Sequence, residues 1–144
     1  MDSMKNKNNK NKDIEQAQQT LKKQGYRLVG KHSAVKVCEW CKRAISGCGE
    51  CYKNKFYGVP SWRCLQMTPY LECENLCQHC WRPIELDMKE LMNARKIEKP
   101  KEIIENCIKM QNMLLTGFGG KEKFNKERFK ESHIPSHFAI SLLG

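Results

Sequence analysis

The segment Cys73-Glu-Asn-Leu-Cys77-Gln-His-Cys80 sets three thiols at C-x3-C-x2-C spacing, with His79 just before the last. Thiolates ligate four-iron clusters, and three from one loop leave one iron without a protein ligand, open to a small molecule and hence to chemistry. Zinc sites are more often built from separated pairs such as C-x2-C with a second C-x2-C, so the triplet reads as a cluster loop. Upstream, Cys38, Cys51 and Cys64 recur every 13 residues. Cys41 and Cys48 add the pairs Cys38-x2-Cys41 and Cys48-x2-Cys51, which on their own read as a four-thiolate zinc site. Both readings stand at the level of spacing. Cys107 falls on the apolar stripe of an expected helix and reads as a small core residue.

The triplet needs elements to hold it. Residues 63–68 alternate as a strand that Pro69 stops, and the cysteine loop follows at once. Pro100 suits a first helical position, and Ile103, Ile104, Cys107, Ile108, Leu114 and Leu115 recur at helical spacing up to Gly117. After a polar, Lys-rich connection, Pro135 precedes residues 137–143, which have a buried-strand composition. Strand, loop, helix and strand make a β-α-β unit, the fold whose sites collect at the carboxyl ends of strands. Before this unit, residues 1–12 are almost all Asn and Lys and are expected to be a disordered basic arm. Asp13 is then expected to cap a short helix carrying Ile14, Ala17 and Leu21 and ending near Gly25. From Tyr26 to Trp62 the pattern is loop-like, poor in core residues and more easily organised by metal than by burial. Gly117-Phe118-Gly119-Gly120 follows a helix and is no phosphate loop.

Composition narrows the setting. The chain has 144 residues and nine cysteines, and no apolar run follows its opening residues, so thiols of a reduced, cytoplasmic compartment are expected. No uncharged stretch approaches the roughly 18 residues of a membrane helix. Residues 1–63 carry a net charge of +9 of the total +10. Such a face attracts phosphate backbones, though a merely solubilising surface has the same composition.

Longer blocks carry a resemblance. Residues 25–36 (GYRLVGKHSAVK), 51–58 (CYKNKFYG), 63–69 (RCLQMTP) and 80–83 (CWRP) are similar to the tRNA 4-demethylwyosine synthases, radical S-adenosylmethionine (SAM) enzymes of wyosine-base biosynthesis. The similarity runs from about Gly25 to Gly144. It implies an α/β fold, a partial radical SAM (βα) barrel truncated after its second strand and preceded by a Cys-rich basic extension. Residues 13–63 would be that extension and residues 64–144 the start of the core. It also implies two [4Fe-4S] clusters, one on Cys73, Cys77 and Cys80 with SAM on its open iron and one on Cys38, Cys51 and Cys64. Lys53 matches the family lysine that forms a Schiff base with pyruvate, with Lys55 its rival on the same segment. His79 and Gly144 would lie on the SAM side, Gly144 opening a segment that meets the SAM amino group. The implied reaction is a lyase-type condensation of pyruvate with N1-methylguanosine beside the anticodon of phenylalanine tRNA, fed by a one-electron donor. Because the family's barrel continues past the equivalent of Gly144, an incomplete chain is expected, weakly active alone and monomeric when full length. The alternatives are a zinc-binding nucleic-acid module, another radical SAM enzyme, or an electron carrier.

Overall fold

The computed structural model describes residues 2–73, 75, 77–82 and 97–141. Helix α1 (Asp2–Lys23) leads into strands β1 (Tyr26–Val29) and β2 (Ser33–Lys36), then helices α2 (Glu39–Ile45) and α3 (Tyr52–Tyr57). Strand β3 (Cys64–Thr68), helix α4 (Pro100–Leu115), helix α5 (Lys126–Ser132) and strand β4 (His137–Ile140) complete the order. The four strands form one mixed sheet, β1-β2-β3-β4, antiparallel except for the parallel pair β3 and β4.

The expected β-α-β unit is present: β3, α4 and a parallel β4 follow the pattern read from residues 63–140. Pro100 takes the first turn of α4, where its missing N–H removes no bond. Ile103, Cys107, Gln111 and Leu115 recur every four residues as the buried stripe. Ile103 and Cys107 pack with Val29, Val35, Leu65 and Met67 on one face of the sheet. Cys107 is a fully buried core residue, as read.

The opposite face is covered by the end of α1, where Ala17 and Leu21, four residues apart, pack with Tyr26, Ala34 and Leu71. The arm expected to be disordered is continuous with this helix, and Asp13 lies inside it rather than at its cap. Neither Pro nor Gly occurs between residues 2 and 24, so nothing interrupts a helix propagating from its docked end.

Three further expectations are corrected. Residues 26–62 are not a loop: Leu28-Val29 and Val35-Lys36 form a hairpin, and Val37, Cys41 and Ile45 bury against Leu115 and Phe118. The apolar residues there are few but fall on matching faces, so burial organises the segment. The Lys-rich connection contains α5, whose N-cap Asn125 accepts a hydrogen bond from the Arg128 amide at 2.9 Å. β4 is half exposed rather than buried, with Phe138 and Ile140 outward at the edge of the described sheet. Pro83, Leu142, Leu143 and Gly144 lie outside the described residues.

Candidate functional site

The triplet follows β3, and the chain leading to it is held by the turn of the β1–β2 hairpin. His32, buried, donates through Nδ1 to the Pro69 carbonyl at 2.7 Å and accepts at Nε2 from the Glu98 amide at 3.0 Å. Ser33 Oγ donates to the same Pro69 carbonyl at 2.8 Å, and the Leu71 amide donates to His32 at 3.0 Å. The Glu98 carboxylate in turn accepts the Lys31 amide at 2.9 Å and closes over Gly30, whose φ of 57° and lack of a Cβ admit it. This buried network leaves Pro69 to Leu71 one placement, from which Cys73 departs.

Within the loop, Cys73 and Cys80 are half-buried, Cys77 and His79 are exposed, and the Cys80 amide donates to Cys77 at 3.0 Å. Trp81 then anchors the segment. Its ring stacks on Tyr26 at 4.4 Å, and its carbonyl accepts from Gln24 Nε2 at 2.9 Å. The Arg82 guanidinium lies over the Trp81 ring at 4.6 Å.

The upstream cysteines meet at the other end of β3. Cys38 precedes α2, Cys51 precedes α3, and Cys64 opens β3. Residue pairs Ala34 with Thr68 and Lys36 with Gln66 fix the β2–β3 register, and two further residues set Cys38 opposite Cys64. On the other side Cys64 pairs with His137 on β4. Burial first, then the neighbouring Cys38, pushes the Cys64 thiol up to about 11, against Lys53. Cys51 lies lower than an ordinary thiol: burial opposes this, but hydrogen bonds from Ser61 Oγ and the Asn54 and Lys53 amides, with the Lys53 charge, outweigh it. Ser61 is buried, donates to Cys51 Sγ at 3.2 Å and accepts the Cys51 amide at 3.1 Å.

Lys53 is half-buried and its charge reaches Cys51, Cys64 and His137, whose pKa is lowered by burial and then by Lys53 and Arg63. Lys55 is exposed and enters none of these shifts. The two lysines that sequence left as rivals therefore differ: one faces the thiols and one faces water.

Cys48 does not join this group, whereas Cys41 lies buried beside it. Cys41 is fully buried among Val37, Ile45, Leu115 and Phe118, donates to the Trp62 carbonyl at 3.4 Å, and is pushed up to about 12, first by burial and then by the neighbouring Cys38 and Cys64. Cys48 is exposed, its thiol 3.5 Å from the Ser46 carbonyl. Among the described residues no three His, Cys, Asp or Glu side chains are grouped for a single metal ion. Cys38, Cys51 and Cys64 lie on three converging segments, ahead of α2, ahead of α3 and at the start of β3.

Helix α5 braces these segments. Arg128 pairs with Glu50 at 2.6 Å, donates to Ala44 at 3.1 Å and stacks over Trp62, whose Nε1 donates to Glu131 at 2.6 Å. Arg63 Nε donates to Ile134 at 2.9 Å. Ser61, Arg82 and His137 escaped the motif reading of the site. Only Arg82 carried a signal, as part of the CWRP block, because the partners of the other two are set by long-range register.

Fold and thiols together define a mixed α/β protein with two cysteine groups, one in the loop after a sheet strand and one at that strand's start. No family model matches the chain. Its homologues are S-adenosyl-L-methionine-dependent tRNA 4-demethylwyosine synthases. That of Pyrococcus abyssi is 44% identical over 131 residues, covering 90% of this chain and 38% of the relative. The human relative, TYW1, is 38% identical over 130 residues, covering 88% of this chain and 17% of its own length. A solved structure of TYW1 with a lysine-pyruvate adduct bound aligns with a TM-score of 0.73 at 35% identity over 88% of this chain and 41% of that one. A crystal structure of archaeal TYW1 gives 0.68 at 32% identity. The chain thus spans about two-fifths of the archaeal relatives it matches. Among the described residues no helix is long and apolar enough to cross a membrane.

Proposed function

We propose that this chain carries the two-cluster, pyruvate-binding part of a radical SAM tRNA-modifying lyase, a 4-demethylwyosine synthase. The observation that carries the reading is the convergence of Cys38, Cys51, Cys64 and Lys53, because a relative of the same fold holds pyruvate on a lysine. In this reading Cys73, Cys77 and Cys80 hold one [4Fe-4S] cluster, with His79 and Gly144 on its SAM side. Cys38, Cys51 and Cys64 hold the second. The β3–α4–β4 unit (within 64–144) is the start of a (βα) barrel, and residues 13–63 are an extension built against it.

Cys73, Cys77 and Cys80 would hold the cluster to which SAM binds, and SAM with a one-electron donor would supply the radical chemistry needed at the N1-methyl group of the guanosine. The protein's own part is positioning. Lys53 Nζ attacks the pyruvate carbonyl carbon and, with loss of water, forms the Schiff base that holds two pyruvate carbons for ring closure. The basic front half (+9 for residues 1–63) draws the tRNA, and an anticodon-loop base leaves its stack at less cost than one in a duplex. The setting is the cytoplasm, with the full-length protein a monomer.

Anaerobic reconstitution followed by iron and acid-labile sulfide assay tests the reading. About eight irons per chain are expected from two four-iron clusters. Zinc with no broad visible absorbance would sink it.

A further inference from the structure

Arg82 is only 9% exposed, yet its Nε and Nη2 atoms have no hydrogen-bond partner among the described residues. A buried guanidinium is costly unless its donors are met, so two unmet donors on one buried arginine point to a partner that arrives from outside. The two atoms are specific in placement. Nε–H and the adjacent Nη2–H run parallel along one edge of the planar group, the fork that matches both oxygens of a carboxylate. The flat face of the guanidinium lies on Trp81, Trp81 is clamped between Tyr26 and the Gln24 amide, and the residue sits two positions after Cys80. The guanidinium thus packs on Trp81, two residues past the last triplet cysteine in sequence, with one edge vacant of partners among the described residues.

We propose that Arg82 is an oxyanion-binding residue of the triplet site, presenting its Nε and Nη2 edge to the carboxylate of the methionine part of SAM. This rests on the reading of the triplet as a SAM cluster loop. A neutral or monodentate side chain cannot replace it, because lysine offers a point charge without the parallel pair.

The test measures affinity by equilibrium dialysis on the iron-loaded chain, for SAM and for decarboxylated SAM, in wild type, R82Q and R82K. Matched visible absorbance shows that each variant keeps its clusters. R82Q should bind SAM at least about tenfold more weakly, the scale of a lost charge-assisted pair, and bind the decarboxylated ligand as wild type does. R82K should fall between. Equal weakening of both ligands, or of neither, would overturn the assignment. Unchanged SAM binding with weakened tRNA binding would overturn it in favour of a phosphate. An iron-loaded wild type that binds no SAM contradicts the underlying reading as well, and so is told apart from failure of the Arg82 assignment alone.

Discussion

Ser61→Ala isolates the electrostatics of the upstream thiols without touching any of them. Ser61 Oγ both donates to Cys51 Sγ at 3.2 Å and accepts the Cys51 amide at 3.1 Å, and the residue is 1% exposed. Alanine removes two hydrogen bonds and leaves the Cys51 amide short of a partner. The expected cost is about 1–2 kcal/mol, a fall in Tm of several degrees for a chain of this length. The chemical effect is more diagnostic. Burial already pushes the Cys51 thiol upward, and the Ser61 bond is the largest influence holding it down. Without it the pKa rises, so less thiolate is present at neutral pH and alkylation slows. Peptide mapping of iodoacetamide uptake by the metal-free, reduced chain across pH 6 to 10 reads this directly. The Cys51 profile should move to higher pH in Ser61→Ala. An unmoved profile, or one moved to lower pH, would refute the argument.

Other expectations follow from the same geometry. Lys53→Met should raise the pKa of His137, which Lys53 and Arg63 lower in addition to burial, as followed by NMR; an unshifted imidazole would mean that Lys53 does not face it. Cys107, pushed up to about 11 from 9.0 chiefly by burial, keeps its proton better in the fold than in the unfolded chain. Its contribution is therefore present in full below about pH 9 and is lost as pH rises toward 11, so alkaline denaturation should be milder in Cys107→Ala relative to that variant's own neutral stability. Gly30→Ala places a Cβ against the Glu98 carboxylate at a left-handed φ of 57° and should cost about 1–3 kcal/mol in thermal melts.

What could be read from sequence was what local pattern encodes. Three thiols in eight residues, a strand stopped by Pro69 and a helix opened by Pro100 each announce themselves within a short window, and β3, the loop and α4 stand where the pattern set them. Long-range pairing is a different matter. The hairpin of residues 26–36 is built from two four-residue strands around Gly30, too short for alternation to stand out, and its buried residues acquire meaning only against α1 and α4. Helix α5 hides in a Lys-rich stretch because Phe129 alone does not make an apolar stripe, and Arg128 and Glu131 add a salt bridge and a Trp62 bond. The site divides in the same way. The 13-residue recurrence of Cys38, Cys51 and Cys64 was visible, but the pairing of Cys64 with His137 depends on the register of β3 against β4. The unmet edge of Arg82 depends on burial that no spacing reports.

The central claim is that Lys53 is the residue that takes pyruvate. Borohydride reduction of the iron-loaded chain with labelled pyruvate, followed by peptide mass mapping, tests it most directly. The account predicts label on Lys53, lost in Lys53→Met and absent from Lys55. Label on Lys55, or none on either lysine while the clusters are intact, would contradict it.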